Sequence, residues 1–257
     1  MTSPEGANGA EGKPHAPPRL DLLQTRDGVK VYIVDGNHVR THLEVDFTQS
    51  AHCFSFPKLV PADEIWIDRE ETPDETKYIA NHAFIERALM QQGWKYNDAL
   101  NLADRVARKE RGKKRDERFL DKKPNHDELP KRLYVRRLEQ MEEAGGVQVW
   151  LINGKAVREV LDLEFVQGGH EYVYTYVPAN EVWLDDDLIP EELPHVLLHE
   201  IVERNLMAKG MSYGRAHYYA LRKEKEARLA GVKAEAEKAE GVKKNGKPAE
   251  EEKKDAR

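Results

Sequence analysis

The chain has 257 residues, 39% hydrophobic and 34% charged, with 41 Lys and Arg against 47 Asp and Glu for a net charge of −6. That length holds one large domain or two of ordinary size, and the acidic balance argues against a protein that coats nucleic acid through overall basicity. The single cysteine, Cys53, rules out an intrachain disulfide and a four-cysteine zinc site, no apolar run approaches the length of a membrane span, and the N-terminus lacks the basic start and apolar stretch of a secretion signal. A cytoplasmic, reducing setting is expected, with peptide or protein as partner, no membrane contact, and nucleic acid disfavoured.

Residues 1–23 begin as Gly, Pro, Ala and Glu without apolar periodicity and read as a disordered tail. The chain is then written twice. VKVYIVDGNHVRTHLEVDFTQSAHCFSF from Val29 matches VQVWLINGKAVREVLDLEFVQGGHEYVY from Val147, with Gly36/Gly154, Val39/Val157, Arg40/Arg158, Phe47/Phe165 and His52/His170 identical at an offset of 118. One residue is then lost. At an offset of 117, VPADEIWID from Val60 matches VPANEVWLD from Val177, and HAFIERALM from His82 matches HEIVERNLM from His199. Dense, ordered identities with one single-residue shift mark an internal duplication.

Each copy predicts the same elements. An apolar strand, 29–34 or 147–152, leads into Asp35-Gly36 or Asn153-Gly154, which reads as a hairpin turn into a second strand ending near Phe47 or Phe165. A third strand is expected over Cys53–Phe56 or Tyr172–Tyr176, and a short fourth over Glu64–Asp68 or Glu181–Asp185. A helix follows Pro73 or Pro190 and stops near Gly93 or Gly210; a second begins near Tyr96 or Tyr213. The expected fold is α+β: two repeats, 24–112 and 133–227, each a small antiparallel sheet (a hairpin plus two short strands) followed by two helices. Residues 113–132 read as a charged linker. Arg105 to Arg132 carry 12 Lys/Arg and 6 Asp/Glu, which suits phosphate contact or a solvated connection, and with no aromatic ladder beyond Phe119 the second is favoured. Residues 228–257 read as a charged low-complexity tail, helical at first and broken by Gly241, Gly246 and Pro248.

The chemistry lies on the long helix of the second copy. PHVLLHEIVER from Pro194 puts His195, His199 and Glu203 four apart, on one face. His199 and Glu203 are placed to grip one metal ion, with His217, 14 residues on in the next helix, as a third ligand. Two His and a carboxylate suit zinc, and also iron or manganese. Glu200, one residue past the first ligand, stands where a general base is wanted, and Tyr213 where a donor to an oxyanion is. The segment Glu181 to Tyr218, H-E-x-x-E with a strand running up to it, resembles the active helix of zincin-like metallopeptidases, with Glu203 in place of the second motif His. The resemblance implies that His199, Glu203 and His217 are ligands, Glu200 the base, and hydrolysis of a peptide or amide bond the reaction. The repeated unit as a whole also resembles those of bacterial or phage proteins.

The first copy retains His82 and Glu86 but has Ala83, Leu100 and Tyr78 where Glu200, His217 and His195 stand. It reads as a degenerate site. The opposing reading is a non-catalytic duplicated structural or protein-binding module, in which Glu200 pairs with Arg204 at i,i+4. His52 and His170 are expected either to cap their turn or to face the helix as an additional ligand or donor. Trp66 and Trp183 are expected in the core.

Overall fold

The structure is a computed structural model that describes residues 18–70, 73–112, 114–119, 122–139 and 146–245, with side chains through 234. The chain divides into two compact units between residues 113 and 114. The first contains β1 (Arg19–Arg26), β2 (Val29–Val34), α1 (Gly36–His42), β3 (Ser50–His52), β4 (Glu64–Asp68), α2 (Pro73–Gln91) and α3 (Tyr96–Arg111). The second contains β5 (Tyr134–Arg137), β6 (Gln148–Ile152), α4 (Gly154–Val160), β7 (Gly168–His170), β8 (Glu181–Asp185), α5 (Leu193–Ala208) and α6 (Tyr213–Asn245). The α+β class and the duplication are therefore both present: each unit is a four-stranded sheet followed by two helices.

The sheets run β1-β2-β4-β3 and β5-β6-β8-β7. They are mixed rather than wholly antiparallel, because β2 pairs parallel with β4 and β6 parallel with β8. The expected hairpin after β2 is a helix instead. Asp35 and Asn153 accept the backbone N–H of His38 and Ala156 and so act as N-caps of α1 and α4. Their following glycines serve close approach, since a β-carbon on Gly36 or Gly154 would collide with the carboxylate of Asp68 or Asp185. The Asp-Gly hairpin lies one strand earlier, where Asp27 and Gly28 both have positive φ (51° and 80°) and join β1 to β2. The first part of β1, residues 19–23, is thus strand within the stretch read as a disordered tail; residues 1–17 lie outside the described residues. The strands expected over Cys53–Phe56 and Tyr172–Tyr176 are turns, and the third strand of each sheet is the three residues just before.

Alternation assigns the sheet faces. In the first unit Val29, Val31, Ile65 and Ile67 meet Ile79, Ala80, Ala83 and Phe84 of α2, while Val34 and Trp66 face Val39 of α1, Phe47 and Val60. The second unit repeats this, with Val149, Val182 and Leu184 against Val196 and Ile201 of α5, and Trp183 with Val157 and Phe165 on the other face. Phe119, Leu129 and Leu133 are buried in that second cluster. The segment read as a charged linker therefore anchors itself in the second unit's core through Phe119 and Leu129, while most of its described charged residues stay exposed. The helix α6 continues through Gly241 to Asn245, and residues 246–257 lie outside the described residues.

The central strands β4 and β8 are buried along all five residues, acidic ends included. Each buried carboxylate meets a donor, as burial requires. Arg40 Nη1 donates to Asp68 at 2.6 Å, and Arg158 Nη1 to Asp185 at 2.6 Å. At the other strand end Trp66 and Trp183 donate to Glu64 and Glu181. Glu64 also receives Arg19, whereas Glu181 receives His126 and Tyr134. Among the described residues no helix is long and apolar enough to cross a membrane.

Candidate metal centre

In the second unit α5 lies over β7 and β8 and against α6. Pro194 sits in its first turn, and the apolar residues Val196 and Ile201 turn it onto the sheet. That orientation buries His199, Glu200 and Glu203. The helix α6 starts at Tyr213 after the chain reverses at Gly210, which has φ of 87°. It lays His217 beside α5.

Three of the expected ligands converge. His217 Nδ1 is 2.8 Å from Glu203 Oε2, His199 Nε2 is 3.2 Å from His217 Nδ1, and His199 Nε2 is 3.8 Å from Glu203 Oε2. A triangle with those edges has one point about 1.9 Å from all three corners, close to the 2.0–2.2 Å at which zinc sits from imidazole nitrogen and carboxylate oxygen. His217 keeps 27% of its side chain exposed, which leaves a solvent-facing side to a group that is otherwise buried. Tyr213 lies on that helix, half exposed, with its ring stacked on His217 at 5.3 Å and 26°. His195 lies one turn before His199, half-buried, and takes no part in the converging group.

The remaining atoms of the ligands are held by other side chains. His199 Nδ1 is 3.0 Å from Glu224 Oε2. Glu203 Oε1 is 3.2 Å from His170 Nε2. The Tyr172 backbone N–H donates to His170 Nδ1 at 3.2 Å, so that nitrogen carries no proton and Nε2 carries it. His170 is thereby a donor that orients Glu203, not an additional ligand. Both readings of this His hold in part, since it ties down its turn through one nitrogen and faces the helix through the other.

Glu200 does not pair with Arg204. Arg204 instead donates to both oxygens of Glu171 and to Asn180. The Glu200 carboxyl lies with Glu203 and His170, ligand-type atoms of the three all within 4.8 Å of one another. Burial pushes its pKa up to about 7, although the neighbouring imidazoles pull the other way. His199 is pushed up to about 10: burial opposes its charge, but its hydrogen bonds to Glu203 and Glu224 outweigh that. Glu203 is held well below the usual carboxylate range despite its own burial, because three imidazoles face it.

The first unit keeps part of this arrangement. His52 Nε2 is 3.2 Å from Glu86 Oε1, and the Phe54 backbone N–H donates to His52 Nδ1 at 3.2 Å, as in the second unit. Around the pair the chemistry is different. Leu100 replaces His217, Ala83 replaces Glu200, and His82 turns Nε2 to Asp104 at 2.9 Å. The convergence of His199, Glu203 and His217 was legible in the sequence; the place of Glu224 was not, because it carries no motif and reaches His199 only through the register of α6 on α5. Comparison of the chain with protein-family models, with curated proteins and with solved structures found no match.

Proposed function

We propose that the second unit is a metal-dependent hydrolase acting on peptide or amide bonds, and that the first unit is its non-catalytic scaffold copy. The observation that carries this reading is the meeting of His199 Nε2, Glu203 Oε2 and His217 Nδ1 around one point at metal–ligand distance. Zinc fits two imidazoles and a carboxylate, with iron and manganese as alternatives. A cation held there would supply Lewis acidity and acidify a bound water. Glu200 is close to Glu203 but outside the ligand trio, the place from which a carboxylate takes a proton without binding the cation. Tyr213, beside His217 on the exposed side, would donate to a developing oxyanion. The choice of peptide or amide bonds rests on the resemblance of the H-E-x-x-E helix to those of zincin-like metallopeptidases.

Residue differences between the units support the asymmetry. Gly168, Glu200, His217 and Glu224 stand where the first unit has Ser50, Ala83, Leu100 and Ala107; in the second unit Gly168 lies against Glu200, and His217 and Glu224 each face His199. The test is cleavage of a mixed peptide library by purified protein, before and after chelation and after return of zinc. Chelation should abolish cleavage and zinc restore it. Chelator-insensitive cleavage, or none by zinc-loaded protein, contradicts the proposal.

A further inference from the structure

We infer that Glu224 is the positioning residue that decides which nitrogen of His199 is free for a metal, and that its place on the helix, beside the exchange of His217 for Leu100, sets the second unit apart from the first. This rests on the metal site proposed above. In both units an Arg–Glu ion pair ties the last helix to the start of the one before it: Arg111 to Glu75 at 2.5 Å, and Arg228 to Glu192 at 2.5 and 2.8 Å. These pairs are equivalent at the offset of 117 and belong to the fold. Glu224 is inserted between this pair and the site in the second unit alone. Its Oε1 accepts from Arg228 Nε and Nη2 at 2.9 and 2.7 Å, and its Oε2 faces His199 Nδ1 at 3.0 Å. Arg228 is almost wholly buried and fixes the carboxylate from behind. A carboxylate only accepts, so Nδ1 carries the proton and Nε2 offers its lone pair to the cation.

The first unit supplies the contrast. The equivalent of Glu224 is Ala107, and the carboxylate that meets His82 is Asp104, three residues earlier. Three residues are about one helical turn. From there the acid meets Nε2 of the imidazole, not Nδ1. Both units therefore pair the helix histidine with an acid, and a displacement of that acid by one turn exchanges which ring nitrogen is occupied.

The experiment measures zinc affinity by competition with a chromophoric chelator on the full chain, with cobalt(II) absorption as a second readout, for wild type, Glu224→Ala, and Glu224→Ala combined with Leu221→Asp. Leu221 is the equivalent of Asp104, so the double variant gives the second unit the first unit's wiring while retaining a His–carboxylate pair. Glu224→Ala should weaken zinc binding 10–100-fold, the usual cost of losing a partner behind a ligating histidine. The double variant should bind no better than the single one and should lose the tetrahedral cobalt spectrum, even if its thermal stability without metal returns to that of wild type. Wild-type affinity in a folded Glu224→Ala protein overturns the inference while leaving the site intact. Recovery of affinity in the double variant overturns it too, because a merely structural ion pair would then suffice. A wild-type chain that binds no zinc overturns the site and this inference together.

Discussion

A β-carbon on Gly168 would lie 3.1 Å from Glu200 Oε1 and 3.0 Å from the Trp183 carbonyl oxygen. The strand β7 is therefore built around the Glu200 side chain. The first unit has the complementary pair, Ser50 with Ala83, in which the larger residue has moved from helix to strand. Gly168→Ala should destabilise the second unit by about 1–3 kcal/mol, as overpacking does. Adding Glu200→Ala should return part of that loss, with a coupling of at least about 0.5 kcal/mol. Urea unfolding of the two single variants and the double variant checks this; strictly additive effects would show that the contact carries no strain.

The second prediction separates the units. His199→Ala or His217→Ala should abolish metal binding, since each removes one of three ligands. His82→Ala should leave metal content unchanged and affect only stability, because His82 is engaged with Asp104. Calorimetric titration with zinc reads all three. Loss of zinc on His82→Ala would mean that the first unit, too, takes part.

The third concerns Glu200. Glu200→Gln keeps the shape and removes the proton acceptor. It should leave zinc affinity intact and lower hydrolysis by about 10²-fold or more. Full activity in that variant would remove Glu200 from the chemistry.

The fourth tests the buried charges of the sheet. Arg40–Asp68 and Arg158–Asp185 pair at the same 2.6 Å, all four side chains nearly inaccessible. Arg40→Ala or Arg158→Ala strands a buried carboxylate and should cost about 3–5 kcal/mol in its own unit. Because the pair is present in both copies, Arg158→Ala protein that still folds should retain zinc.

The sequence carried some of these elements openly. The duplication was legible because the identities fall in order, and Glu64–Asp68, Glu181–Asp185 and the starts of α3 and α6 at Tyr96 and Tyr213 lie where the pattern placed them. Asp35-Gly36 and Asn153-Gly154 misled because Asp and Asn serve equally as turn formers and as helix caps. What decides is a long-range contact, the carboxylate of Asp68 or Asp185 against the glycine. The parallel pairing of β2 with β4 was hidden because those strands are separated by a helix and a third strand. His199, Glu203 and His217 could be picked out by helical spacing and donor type. Glu224 and the donor role of His170 could not, since both depend on which ring nitrogen faces which partner.

The central claim is that one unit of the two holds a metal. The most direct measurement is the metal content of the purified full chain, by mass spectrometry of the elements, after equilibration with zinc and removal of loosely bound ion. One zinc per chain, lost in His217→Ala and kept in His82→Ala, is the predicted result. A chain that retains no zinc, iron or manganese, or one whose metal is unaffected by His217→Ala, would contradict it.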